Sequence, residues 1–166
     1  MDKPFKFSLY YIASAPKKGG TVFIPLKELI EALSEEKHQR WEKLWMVSDR
    51  QSRIIHPLIY PHPSTKKPTL CFHLGMTEGF CWNYQSKDER WTSWSETEEI
   101  LSEIHAEIES NPNLIYVHEW QTGDFILSDN LALGHEATPE TQLPVSEVGL
   151  RVLHRTTIRG TNFPSK

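Results

Sequence analysis

The last strand-like stretch of the chain carries its most pointed chemistry. In Leu150-Arg151-Val152-Leu153-His154-Arg155-Thr156-Thr157-Ile158-Arg159, alternate residues share a face, so Arg151, Leu153, Arg155 and Thr157 project together. Two guanidinium groups on one face of a largely apolar strand need anions if that face looks inward. A guanidinium grips a carboxylate through two parallel hydrogen bonds, so one reading is an anionic ligand inside a rolled sheet. The other is ion pairing with some of the 22 Asp and Glu residues, the ordinary fate of surface arginines. His135 is the second candidate. It follows Trp120-Gln121-Thr122-Gly123-Asp124-Phe125-Ile126-Leu127-Ser128-Asp129-Asn130, in which Gly123-Asp124 reads as a tight turn into a short apolar strand and Asp129-Asn130 as the turn out. A histidine just beyond a strand end sits on a rigid scaffold that can aim it at a ligand.

These residues need a β framework to position them. Phe5, Phe7, Leu9 and Tyr11 alternate, which predicts an opening strand with one buried face. Pro16-Lys17-Lys18-Gly19-Gly20 reads as a turn, and the β-branched and aromatic run from Thr21 to Ile24 as a second strand. Pro25 can open a helix, with Leu26, Leu29, Ile30 and Leu33 at helical spacing. Ser34 is the expected N-cap of a second helix, whose apolar stripe would be Trp41, Leu44 and Trp45. Residues 54–60 and 68–73 read as strands, and the aromatic-rich stretch 79–94 as a long loop. Ser95-Glu96-Thr97-Glu98 resembles a capping box ahead of a helix with Ile100, Leu101, Ile104 and Ile108 on one side, ended by Asn111-Pro112-Asn113. Residues 114–120, 125–128 and 149–159 are three further expected strands, with 134–147 a polar loop. There is no repeat and no domain-sized linker. The expectation is one domain, 1–166, mainly β with helical insertions, built as a sandwich or jelly roll.

Composition removes several function classes. The net charge is −4 with both signs scattered, so there is no basic stripe for nucleic acid and no polybasic segment for a membrane surface. Met1-Asp2-Lys3-Pro4 lacks a basic-then-apolar leader pattern, and the longest apolar stretch, Leu9 to Ala15, is too short to span a bilayer. The expected location is cytoplasmic. Cys71 and Cys81 sit in apolar surroundings with no metal spacing and read as two reduced thiols.

Taken together, the pattern Trp-x-x-Gly-Asp-x-x-x-x-Asp-Asn-x-x-x-x-His, starting at Trp120, and the later strand Leu-His-Arg-Thr-Thr resemble the C-terminal signature of the taurine dioxygenase (TauD/TfdA) family. Ala15-Pro16-Lys17-Lys18-Gly19-Gly20-Thr21 is similar to that family's Pro-x-x-Gly-Gly turn, and Ile54 to Pro63 to its preceding strand and turn. The resemblance implies a double-stranded β-helix of the clavaminate synthase-like type. It also implies an iron(II) centre held by two histidines and one carboxylate on one face, with 2-oxoglutarate and O2 as cosubstrates. By the same resemblance, His135 is the distal metal ligand and Arg155 binds the far carboxylate of 2-oxoglutarate. Arg151 would take an anionic group of a small-molecule substrate, which is hydroxylated or otherwise oxidised while 2-oxoglutarate becomes succinate and carbon dioxide.

Two departures from the family pattern shape the expectation. The threonine that helps hold 2-oxoglutarate falls two residues after the Gly-Gly pair in the family. Here Val22 occupies that position and Thr21 precedes it, so Thr21 substitutes only if the strand shifts face. The His-x-Asp/Glu pair that supplies the other two metal ligands should precede the strand at Phe5, and the chain starts after it. The fold is therefore expected to be incomplete at its N-terminal edge, with three competing explanations: translation read from an internal methionine, a natural fragment or pseudoenzyme, or a second chain that completes the site. The one His-x-Glu triplet, His105-Ala106-Glu107, falls on a helix that the resemblance puts outside the barrel. An unfinished sheet edge favours self-association into a homo-oligomer. The rival reading is a non-catalytic jelly-roll binding protein. The aromatic stretch with Phe80, Trp82, Tyr84, Trp91 and Trp94 is either a substrate wall or ordinary packing.

Overall fold

The computed structural model describes residues 3–48 and 54–166. Met1 and Asp2, half of the stretch read above for a leader, lie outside them. In chain order the first elements are β1 (Phe5–Ser14), β2 (Thr21–Pro25), α1 (Leu26–Glu31), α2 (Glu35–Trp41) and β3 (Leu44–Ser48). Next come β4 (Ile54–Pro57), β5 (Ile59–Pro61), β6 (Pro68–Leu70), β7 (Thr77–Trp82), β8 (Arg90–Trp91) and α3 (Trp94–Glu109). The last are β9 (Tyr116–His118), β10 (Phe125–Asp129), β11 (Leu133–Ala137), α4 (Val145–Val148) and β12 (Val152–Arg159).

Two three-stranded antiparallel sheets, in the orders β10-β1-β12 and β11-β2-β9, form the two walls of the jelly roll. Their inner faces meet where Tyr10 and Ile12 pack with Trp120, whose indole N–H donates to Thr21 Oγ1 at 3.0 Å. Everything from α1 to α3 is inserted between β2 and β9. There a four-stranded sheet, β4-β3-β7-β8, and the β5-β6 hairpin pack with the helices over a second core that includes Leu29, Trp41, Leu44, Phe80, Ile100 and Ile104. Among the described residues no helix is long and apolar enough to cross a membrane.

The strands and helices follow the sequence pattern closely, and the exceptions have physical reasons. On β1 the buried residues are Ser8, Tyr10 and Ile12, so the alternating set Phe7, Leu9 and Tyr11 lies on the outer face. Alternation marks a strand but not which side is covered. Leu44 and Trp45 belong to β3 and not to the α2 stripe, because pairing with β4 and β7 overrides local helical spacing. The stretch 79–94 contains β7 and β8, with Phe80 fully buried. The N-cap of α3 is Ser93, whose hydroxyl accepts from Glu96 N at 3.2 Å, two residues earlier than expected. The stretch 134–147 is no open loop: it holds most of β11, a 3-10 turn at Pro139–Gln142 and α4. Leu-Gly-His-Glu-Ala has no apolar alternation, and it is extended because β2 offers it a paired edge.

Two glycines mark close approaches that build the walls. Gly123 turns the chain from Trp120 into β10 with φ at +97°, a left-handed conformation that glycine adopts without Cβ strain. At Gly20 a Cβ would stand 2.5 Å from the His118 carbonyl oxygen, so β9 can approach the start of β2 only if this residue lacks a side chain.

Glu96 ties the insertion together. Its carboxylate accepts two hydrogen bonds from Arg90, each 2.7 Å, and one from Trp82 Nε1 at 2.8 Å. Bonding to Arg90, with Trp82 adding to it, holds the carboxyl down at about 2. Because the folded value is depressed, this stabilisation is present above the ordinary carboxylate range and is lost as pH falls towards 2. Glu96→Gln is expected to cost about 1–2 kcal/mol at pH 7. In urea melts the gap between variant and parent should shrink steadily below about pH 4; a gap that stays constant with pH would show that the charge does not matter.

Candidate functional site

His135 lies in the middle of β11, not beyond a strand end as the sequence implied, and is paired opposite Phe23. Period-two alternation puts Thr21 and Phe23 on the His135 side of their sheet, facing the other wall. From that wall Tyr10 reaches across, its hydroxyl 3.1 Å from His135 Nε2 and its ring edge-on to the imidazole at 6.0 Å. Phe23 flanks the imidazole at 6.3 Å. Burial, reinforced by the nearby Arg155 charge, holds the His135 pKa below its ordinary value, against a hydrogen bond to the Leu133 backbone that raises it. Where Nε2 carries the lone pair, the Tyr10 hydroxyl donates to it.

Arg155 pairs opposite Tyr10 on β12, and its guanidinium carbon sits 5.6 Å from the Tyr10 ring centroid. Tyr10 thus joins the two candidates: one end of its side chain bonds His135, and its ring lies beneath Arg155. β12 is an edge strand of its sheet, and Arg155 is exposed. Arg151 stands just before β12 begins at Val152. Its Nε is buried with no hydrogen-bond partner among the described residues, and burial lowers its pKa. Thr21 is buried; its oxygen accepts from Trp120, which leaves its own O–H free to donate. The Thr21 side chain therefore points to the His135 side of the sheet although it stands one residue before the family position.

Three residues that the sequence did not mark belong to this neighbourhood. Tyr10 was hidden because the opening strand was read by its other face. Phe23 looked like ordinary strand filling. His73, in the turn after β6, adds a small electrostatic contribution that lowers the His135 pKa further. The Asp129-Asn130 turn is structural: Asp129 Oδ1 accepts from Leu131 N at 3.0 Å, Asp129 Oδ2 meets buried His62 at 3.2 Å, and Asn130 Nδ2 donates to Phe5 O at 3.1 Å. Of the aromatic stretch, Phe80, Trp82 and Tyr84 pack within the insertion, while Trp91 and Trp94 are exposed. Phe80 fills the second core, Trp82 stacks with Arg40 and Arg90, and Tyr84 lies against Trp45.

The donors for an iron ion are incomplete. Among the described residues no group of three His, Cys, Asp or Glu side chains could hold a metal, so they do not complete a three-ligand site around His135. Among the described residues His105 pairs with Glu109 at 3.5 Å, and Glu107 is engaged by Lys37 and Asn111, so that triplet is no substitute. Donors for anions are present: the orphaned Arg151 Nε, the Arg155 guanidinium and the Thr21 hydroxyl can each donate a hydrogen bond.

A family model described as "Taurine catabolism dioxygenase TauD, TfdA family" matches residues 2–157. The chain belongs to this family. TauD/TfdA proteins are iron(II)- and 2-oxoglutarate-dependent dioxygenases acting on small molecules. The fold agrees: a taurine dioxygenase from Burkholderia xenovorans superposes with a TM-score of 0.74 at 22% identity, covering 96% of this chain and 54% of that one. AAD-2 in complex with Mn(II) and N-oxalylglycine gives 0.79 at 20% identity, covering 99% and 66%. Among curated proteins, 3-((Z)-2-isocyanoethenyl)-1H-indole synthase of Fischerella ambigua (strain UTEX 1903) is 23% identical over 153 residues, which is 81% of this chain and 52% of the relative. This TauD/TfdA chain thus spans about half the length of that relative.

Proposed function

We propose that this chain supplies the cosubstrate-binding part and one metal ligand of an iron(II)/2-oxoglutarate-dependent oxygenase that oxidises a small, anionic organic molecule. The observation that carries this reading is the line Arg155–Tyr10–His135, in which a cation from one wall and an imidazole from the other converge on one phenol. Arg155 would hold the far carboxylate of 2-oxoglutarate with the Thr21 hydroxyl as a second donor, and Arg151 would take the substrate's anionic group. His135 Nε2 would bind iron after releasing the Tyr10 hydroxyl, with two further ligands from polypeptide outside the described residues. Bound iron with 2-oxoglutarate would supply the activation of O2. The chain's own part is to orient two anions and to keep the imidazole neutral and desolvated.

One observation favours a different allocation of the arginines. A buried, unpartnered Nε is a standing desolvation cost, and a dicarboxylate bound in every turnover would relieve it more regularly than a variable substrate. On that allocation Arg151 clamps 2-oxoglutarate and the solvent-facing Arg155 meets the substrate. The non-catalytic reading, in turn, draws on the incomplete donor set.

The test is anaerobic titration of 2-oxoglutarate with and without iron(II), followed by calorimetry and by visible charge-transfer absorbance. The chain is expected to bind 2-oxoglutarate without metal. Any further gain with iron should disappear in His135→Ala while the metal-free affinity remains. Absence of 2-oxoglutarate binding, or an iron-dependent gain indifferent to His135, would sink the proposal.

A further inference from the structure

Beside the candidate site runs an apolar groove of about 590 Å3, within the usual range of small-molecule pockets. Phe23, Leu114, Tyr116, His118, Ile126 and Leu133 line it. It is continuous with the site through three of them. Phe23 flanks His135, Leu133 lies two residues before His135 on the same strand, and Ile126 is the register partner of Tyr10.

The polar lining of the groove is Ser128, whose hydroxyl donates to Ser8 O at 3.4 Å, and an oriented pair, Tyr116 and His118. His118 Nε2 lies 3.1 Å from Asp124 Oδ2, and Asp124 also accepts from Gln121 N at 2.8 Å. A carboxylate only accepts, so in the neutral imidazole Nε2 carries the hydrogen and Nδ1 offers a lone pair. Tyr116 Oη is 3.3 Å from that Nδ1 and therefore donates to it. Trp120, edge-on to His118 at 4.5 Å, fixes the ring. The Tyr116 oxygen is left with acceptor capacity at the groove wall, so the groove selects a ligand that is apolar and carries a hydrogen-bond donor on its apolar part.

We propose that this groove binds the aromatic side of the substrate, a small acid whose ring bears a donor such as a phenol O–H or an indole N–H, with Tyr116 as the residue that selects the donor. The inference rests on the proposed function for the carboxylate end, held by an arginine, and not for the ring end. The ring in the groove would lie beside His135 through Phe23 and Leu133, with the carboxylate at whichever of Arg151 and Arg155 takes the substrate's anion.

The experiment follows amide resonances of the 166-residue chain on titration with 3-(4-hydroxyphenyl)propanoate, 3-phenylpropanoate and hexanoate, without metal. The aromatic acids should shift Phe23, Tyr116 and Leu133, and hexanoate should shift them less. The hydroxyl should tighten binding by about threefold, as one modest net hydrogen bond does. Tyr116→Phe should remove that preference and leave 3-phenylpropanoate affinity unchanged, while Ile126→Trp should weaken both aromatic acids. Shifts centred elsewhere, a hydroxyl without effect, or a preference that survives Tyr116→Phe would each overturn the proposal. 4-Ethylphenol, which lacks the carboxylate, separates the two readings. If it shifts the groove while the acids gain nothing from Arg151 or Arg155, the groove stands and the anion-binding reading fails; if it leaves the groove untouched, the groove proposal fails.

Discussion

Replacing Arg151 by methionine is expected to stabilise the ligand-free chain and, in the same variant, to weaken its hold on anions. The Nε of Arg151 is buried without a partner among the described residues. Burying a donor unsatisfied costs about 1–3 kcal/mol, and methionine keeps a flexible apolar stem in its place. Allowing for relaxation, the ligand-free variant should gain about 1 kcal/mol, or about 3 °C in Tm. If Arg151 is the clamp for 2-oxoglutarate, affinity should fall about thirtyfold or more, the lower end of the loss when one side of a buried charged pair is removed. Arg155→Ala provides the comparison. That guanidinium faces solvent, so its contribution is screened and its loss should cost about tenfold in 2-oxoglutarate affinity. The larger of the two losses, read by calorimetry at low ionic strength, names the arginine that holds the cosubstrate. If neither substitution changes the affinity, both allocations are wrong.

Gly20→Ala is expected to be the most damaging single-methyl change in the walls of the roll. The added Cβ would meet the His118 carbonyl oxygen at 2.5 Å, and backbone cannot swing aside as a side chain does. Gly20 itself is not free to move away from β9, because its N donates to Thr138 Oγ1 at 2.9 Å and its O accepts from Thr138 N at 3.1 Å on the opposite side. Parting β2 from β9 would disturb the Thr21–Trp120 bond between the walls, so the cost should reach about 3 kcal/mol. Gly123→Ala is the control. Its surroundings are open but its φ is +97°, so it should lose only about 1 kcal/mol of conformational preference. Equal losses for the two in urea titrations would mean that the close approach at Gly20 is relaxed in solution.

Much of this molecule is readable from its residues, and the failures share a cause. The turns at Gly19-Gly20, Gly123-Asp124 and Asp129-Asn130 carry their own signals and lie where their chemistry requires. So does the helix with Ile100 and Ile104 buried. β4, β5 and β6 lie where their residues predict strands, but β3, β7, β8 and β11 carry no such signal, because a neighbour makes them extended and not their own pattern. The same blindness hid the site. Alternation put Arg151 and Arg155 on one face but said nothing of Tyr10, since the apolar residues of β1 drew attention to the side that is half-covered. His135 was found through the spacing of a motif, and Tyr10 and Phe23 only through the pairing of strands far apart in sequence.

His135 and Arg155 sit on β11 and β12, each an edge strand of its wall, so among the described residues each has one backbone border open beside the ligands it would hold. A polypeptide that zips along both borders would fix the gap between imidazole and guanidinium, and with it the bite available to a dicarboxylate. Reciprocity then holds in free energy: whatever such a closing segment adds to ligand affinity, the ligand adds equally to the segment's hold on the chain.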